Sequence, residues 1–344
     1  MALLARTLAL LAVTMATVAI EVVPLDMAQD SFDDQYRGCS PAMTKALPSI
    51  YKFELEKNPL FAKTWVKAEA EWRKRGSHVA PLASPAQAVA VMAYTMKYLY
   101  KEFNTAVHTA GHSRQEYRNN FHFKSLHFLL TNALVTLRQA QNGQCRHVFR
   151  GVRDVRFKAQ RGQKVRFGQF TSTSLSKEVV QHYGTDTIFE IETCHGVDIQ
   201  AFSYDPSNRE VLIPPYETFE VTKVIRIFKK ARISLRSTGT FSKHNCALLW
   251  EHPQGALAPQ RTPLGHRSPG SGHRDPLSHE ANKVTKVTKV TVATTITKTP
   301  CATRLPQGFL HCQGDLKRWK SLFPNPRFRR KTRESSAVSL KVVY

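Results

Sequence analysis

"FHFKSLHFLLTNALVTLRQAQNGQCRHVFRGV", residues 121–152, holds the change of pattern on which the fold turns. Leu126, Leu129, Leu130, Ala133, Leu134 and Leu137 recur at helical spacing and predict one amphipathic helix. Near residue 145 the period changes. "HVFRGV" is short and rich in β-branched and aromatic side chains, which suits a strand. His122 and His127 flank the apolar helix face and read as core or surface histidines rather than ligands.

Upstream of that junction the start and stop chemistry is helical. Ser40-Pro41, Asn58-Pro59 and Ser84-Pro85 each place an N-cap residue before a proline at the first helical position. Gly76 and Gly111 close two of the segments. Downstream, "KVRFGQF", "DTIFEIET", "VDIQAFSY", "REVLI", "TFEVTKVIRIF" and "RISLRS" are short runs divided by glycine, proline or polar turns. No helix long enough for βαβ crossovers is expected between them. The reading is α+β: a helical part over 40–140, then a mainly antiparallel sheet or sandwich over 145–251.

The ends differ from this body. "MALLARTLALLAVTMATVA" carries Arg6, an apolar run and small residues, the pattern of a signal peptide over 1–19. The run is short and threonine-broken for a membrane span. From residue 252 to 344 the chain is rich in Pro, Gly and Ser, then basic, with a tandem "KVTKVTKVT"; it reads as a linker or disordered segment. Lys and Arg total 50 against 26 Asp and Glu, a net charge of +24. Residues 252–344 hold 17 and 4 of these, so the body carries 33 against 22. Such a chain attracts polyanions, including anionic glycans through its tail. No nucleic-acid motif accompanies the charge, so a specific nucleic-acid partner is not expected.

A secreted chain makes cysteines pair. There are six, at 39, 145, 194, 246, 301 and 312, without the C-x-x-C spacing of a zinc site. Sequence alone leaves their pairing open, and no metal is expected. No N-x-[ST] acceptor for N-glycosylation occurs.

Three polar positions stand out in the β-half. Arg150 lies in an apolar strand beside Gly151, Ser172 lies in "FGQFTSTS", and Glu210 precedes the aliphatic run of "NREVLIPPYE" (208–217). Pro214 and Pro215 end that run, because neither can donate to a ladder. Singly, each polar residue has a plain structural explanation: an edge arginine, a serine-rich turn, a solvent-facing glutamate.

Together and in this order they closely resemble the vertebrate arginine-specific mono-ADP-ribosyltransferases, the toxin-like family with an Arg–Ser–Glu signature, and most of all its avian members. The resemblance covers about residues 25–250 through "DSFDDQYRGC", "FNTAV", "FHFKSLHFLL", "VFRGV", "RFGQFTSTSL", "TCHGVDIQAFS", "EVLIPPYETFEV" and "HNCA". It implies a catalytic domain over 25–251, with an N-terminal helical part and a β-sandwich core holding NAD(P) as co-substrate in its cleft. By the same resemblance, Arg150 would hold the phosphate and ribose side of the dinucleotide. Gly151 would offer backbone groups to the nicotinamide amide, Ser172 would position the nicotinamide ribose, and Glu210 would be the catalytic glutamate. Cys145 would pair with Cys194 and Cys39 with Cys246, while Cys301 and Cys312 fall outside the match. The resemblance implies protein arginines or small guanidino compounds as acceptors; from its leader the chain is expected to be secreted or lumenal, and a monomer is expected.

The chemistry suits those residue types. Breaking the nicotinamide–ribose bond builds positive charge on the sugar, as in glycoside cleavage. A fixed carboxylate stabilises that charge, and a planar guanidinium clamps pyrophosphate. One position departs from the family. Arginine-specific members carry a second glutamate two residues before the catalytic one, where this chain has Asn208. In a strand, residues two apart share a face, so Asn208 is expected beside Glu210 on the acceptor side. It can accept a hydrogen bond but cannot act as a charged base. Three readings follow: an arginine transferase, an NAD glycohydrolase with weak transfer, or a secreted polyanion-binding protein with a vestigial site. Lys158, Arg161, Lys164 and Arg166 are read as either favouring the dinucleotide's phosphates or merely solvated.

Overall fold

A computed structural model describes residues 20–249; the expected signal peptide, the basic tail, Cys301 and Cys312 lie outside them. A short strand β1 (Glu21–Pro24) is followed by helices α1 (Ser40–Lys57), α2 (Pro59–Lys74), α3 (Pro85–Thr95), α4 (Leu99–Ala110), α5 (Arg114–Asn119) and α6 (Lys124–Ala140). Local chemistry starts two of these as expected. The Asn58 side chain accepts from Phe61 N at 2.9 Å, and Ser84 caps α3 by accepting from Gln87 N. The start of α1 differs: Cys39 is its cap residue, and the Ser40 hydroxyl instead reaches Tyr36 O and Asn132. Gly76 has φ +93°, the left-handed closure that glycine allows. Gly111 ends α4 for another reason: a Cβ there would lie 2.2 Å from Ser31 O.

The β-half runs β2 (Arg146–Val152), β3 (Val155–Lys158), β4 (Lys164–Val165), β5 (Thr171–Ser174), a short helix α7 (Lys177–Gln181), β6 (Thr187–Thr193), β7 (Val197–Asp198), β8 (Glu210–Ile213), β9 (Glu217–Ile227) and β10 (Lys230–Thr240). Eight strands form one sheet in the order β4-β9-β10-β6-β2-β5-β8-β7, and β1 pairs with β3 in a second. The long sheet is mainly antiparallel, with β6 and β10 paired in parallel. β7, β8 and β9 lie between these two in the chain, so their pairing needs no crossover helix.

Two expected strands are shorter than their composition suggests. "KVRFGQF" yields only β4, because Arg166 N donates to Asp26 O, outside the ladder, and its side chain turns inward to Asp33 at 2.5 Å. Arg166 is therefore neither a phosphate ligand nor solvated; it is a buried ion-pair partner, 1% exposed. "VDIQAFSY" yields only β7, because the Asp198 carboxylate accepts from Gln200 N and turns the chain into a 3-10 segment, Gln200–Phe202.

β8 separates two cores. Leu212 joins the helical core, while Val211 and Ile213 join the core shared by β2, β6, β9 and β10. Burial on both faces explains the unbroken aliphatic run, and Leu212→Ala would cost about 2–5 kcal/mol. Carboxylates fasten the ends. Asp33 accepts from Lys243 N and His244 N, and Asp34 from Cys246 N and Ala247 N. Beside them Cys39 bonds Cys246, while Cys145 and Cys194 tie the entry of β2 to the end of β6. Buried Glu54 caps α6 by accepting from Lys124 N and Ser125 N. No helix among the described residues is long and apolar enough to cross a membrane.

Candidate active site

β2, β5 and β8 lie side by side, and each supplies one of the three polar residues read from the sequence. β2 and β5 are in register only at Phe149–Ser174. They part beyond that pair, and a cleft of about 420 Å³ opens there, lined among others by Arg150, Gly151, Ser172, Asn208 and Glu210. Such a volume is in the range of small-ligand sites. Among the described residues no group of three His, Cys, Asp or Glu is placed to hold a metal ion.

Arg150 Nη1 donates to Ser172 O at 2.7 Å, which fixes the guanidinium against the neighbouring strand. Its other N–H groups have no protein hydrogen-bond partner among the described residues, so they are available to an anion. Burial lowers the guanidinium's pKa from its ordinary value, opposed by Tyr94, Tyr100 and Glu210. Gly151 is buried, and a Cβ on it would lie 2.2 Å from Val180 O and 2.4 Å from Gly184 O. Only glycine lets α7 and the turn after it close against β2 as one wall of the cleft.

In "TSTS" the alternation of a strand divides the labour. Thr173 Oγ1 donates backwards to Val211 O at 2.6 Å, while Ser172 and Ser174 point the other way. Ser174 Oγ donates to Asn208 O at 2.7 Å and so holds the turn that delivers Glu210. Ser172 Oγ lies 3.5 Å from the Tyr94 hydroxyl, which itself donates to Phe170 O.

Glu210 is the first residue of β8, buried at 7% exposure. Burial pushes its carboxyl above the ordinary glutamate range, and the hydroxyls of Ser172 and Ser203 and the charge of Arg150 pull it back. Ser203 Oγ approaches Glu210 Oε2 at 3.4 Å. The carboxylate thus has few donors of its own, unlike Glu217, which accepts from Thr193, Cys194, His195 and Ser237.

Asn208 reaches the same cleft by a different route from the one expected. It ends a 3-10 turn, Pro206–Asn208, and Arg209 then takes the left-handed conformation at φ +47°. The strand begins only at Glu210, so no shared strand face relates the two residues. Asn208 Oδ1 accepts from the Tyr183 hydroxyl at 2.9 Å. Tyr94, Asn104 and Tyr183 also line the cleft and went unnoticed in the sequence. Asn104 donates to Tyr94 and Phe170 O, and its buried Oδ1 lacks a partner among the described residues. The only signal for it was its place in the "FNTAV" block; Tyr94 read as one more helix residue.

A sequence model of the family NAD:arginine ADP-ribosyltransferase matches residues 25–243. NAD(P)(+)–arginine ADP-ribosyltransferase 2 of Gallus gallus is 48% identical over 253 residues, covering 73% of this chain and 79% of the relative. This chain belongs to the NAD:arginine ADP-ribosyltransferase family. A second family member from Gallus gallus, NAD(P)(+)–arginine ADP-ribosyltransferase 1, is 42% identical over 299 residues, covering 85% and 87% of the two chains. Among solved family structures, the mono-ADP-ribosyltransferase ART2.2 aligns with a TM-score of 0.57 at 35% identity, covering 65% of this chain and 98% of that one. A mutant of ART2.2 has been solved in complex with NAD.

Proposed function

We propose that the chain transfers the ADP-ribose of NAD(P) to arginine side chains of proteins and releases nicotinamide. The observation that supports it most is the convergence of Arg150, Ser172 and Glu210 on one cleft, in a chain of this family. Arg150, pinned through one N–H, offers the rest of its donors to the pyrophosphate, planar and permanently charged. Ser172 orients the nicotinamide ribose, and Gly151 leaves backbone beside the nicotinamide amide. Glu210 faces the sugar as positive charge develops, so its attraction is greatest in the transition state. Nicotinamide departs neutral and needs no general acid. An arginine nitrogen attacks the sugar carbon and must lose one proton to a base or to solvent. The catalytic domain of this reading spans 25–251.

Asn208 supports a second reading, an NAD glycohydrolase with weak transfer. Its Oδ1 is already bonded to Tyr183, and it bears no charge to draw in a guanidinium. The family membership and the intact trio favour transfer as the main reaction. The fate of labelled ADP-ribose, offered with and without a guanidino acceptor, tests the two.

The extracellular side or the secretory lumen is the proposed compartment. Relatives from rabbit, mouse and human are named GPI-linked, the paired cysteines suit an oxidising space, and residues 1–19 have leader composition. The reading includes a monomer, and a basic tail that contacts anionic glycans, the latter supported by its charge.

A further inference from the structure

On the far side of α7 from the catalytic cleft lies a second groove of about 310 Å³. Val180 of α7 lines both, so one short helix is the partition between them. The groove is lined by the aliphatic Ile188, Ile225 and Ile227 and by the cations Lys177, Lys230 and Arg232. Glu190 sits 3.5 Å from Lys177 Nζ and 3.7 Å from Arg232 Nε, both loose and partly exposed pairings. Lys230 Nζ donates to the neutral Thr185 hydroxyl. Two of the three cations therefore share one carboxylate, and the third has only a hydroxyl. The hairpin that forms this side, "VTKVIRIFKKAR" (221–232), contains five cations and no acid. Ile227 is 61% exposed there and Phe228 98%. Apolar surface this open, rimmed by charge of one sign, marks a recognition surface more than a solvated face.

We propose that this groove docks the acceptor protein, through a segment that carries an aliphatic side chain next to Asp or Glu. The proposal rests on the arginine-transfer reading and extends it to the class of acceptor. It also answers the weakness at Asn208. With no carboxylate there to attract the guanidinium, acceptor binding has to come from elsewhere. A groove one helix away supplies it by raising the local concentration of the arginine at the cleft. The aliphatic side chain packs on the isoleucines and the carboxylate meets Lys230 and Arg232.

The test compares acceptors on the full-length chain. One set of peptides carries a Leu-Asp pair at successive positions on either side of a single arginine; a control set carries Ser-Lys; free arginine has no flank. Wild type should prefer a Leu-Asp peptide to its control. Lys230→Glu combined with Arg232→Glu should lower kcat/KM for that peptide about tenfold, as expected for two exposed charge contacts reversed, with the loss in KM. Ile227→Ser should lower it less, and raised salt should erase the charge effect. Free arginine should be used equally by all forms, all of which alter exposed side chains. Equal use of both peptide sets at every position, or a parallel loss with free arginine, overturns the docking proposal. No transfer to free arginine by wild type overturns the arginine-transfer reading itself, and the proposal with it.

Discussion

Replacing Glu210 by glutamine separates a catalytic carboxylate from a structural one. The substitution keeps shape and the hydrogen-bonding reach to Ser203 and removes only charge. A unit charge about 3.5 Å from a carboxylate, at an effective dielectric of about 20, gains roughly 5 kcal/mol. The developing sugar cation carries part of a charge, so a loss of about 3–4 kcal/mol, two to three orders of magnitude in kcat, is expected. Stability should move the other way. Burial holds the Glu210 carboxyl above its ordinary range, so at neutral pH the ionised group opposes folding and glutamine relieves that cost. Glu217→Gln is the internal control: burial raises that carboxyl as well, but four donors converge on it and an amide nitrogen cannot accept from the Thr193 hydroxyl, so its melting temperature should fall relative to that of Glu210→Gln. Nicotinamide release and thermal melting of both variants give the answer. Near-wild-type release from Glu210→Gln, or a marked fall in its melting temperature, would refute the assignment.

Three further outcomes follow from the same geometry. Because Glu210 must be ionised to stabilise the cation and its folded pKa is raised, activity should fall with decreasing pH through a midpoint above 4.5, read as the acid limb of kcat/KM; a limb at or below the ordinary glutamate value would contradict the burial argument. Asn208→Glu should shift product from free ADP-ribose toward the arginine adduct, since it restores a charged acceptor on the turn held by Ser174; an unchanged product ratio would remove Asn208 from the account. Cys39→Ser with Cys246→Ser opens a link across 207 residues and should cost about 4 kcal/mol, roughly 10 °C in Tm, checked by melting with and without reductant.

Much of the fold was legible because its signals are local. Asn58 and Ser84 cap helices where the sequence places them, since capping involves residues three apart. The aliphatic run of 211–213 read as a buried strand because both of its faces are covered. Long-range partners were not legible. Nothing near Arg166 in the chain indicates that Asp33 will neutralise it in the interior, so it read as a surface cation. The pairing of β1 with β3 likewise joins segments too far apart for any pattern to relate. The trio Arg150, Ser172 and Glu210 was found through the family resemblance, since singly each has a plain structural reading. The second ring of the cleft, Tyr94, Asn104 and Tyr183, was not found, because those residues reach it from helices and a turn whose local patterns carry no chemistry. Asn208 lines the cleft, but a left-handed Arg209 brings it there and strand alternation does not.

The central claim is that arginine, and not water, is the main acceptor of the ADP-ribose held beside Glu210. NAD labelled in its adenylate half, incubated with the full-length chain and increasing amounts of a guanidino acceptor, tests it most directly. The account predicts a labelled acceptor adduct that grows with acceptor concentration at the expense of free ADP-ribose. Labelled ADP-ribose and nicotinamide alone, at every acceptor concentration, would contradict it.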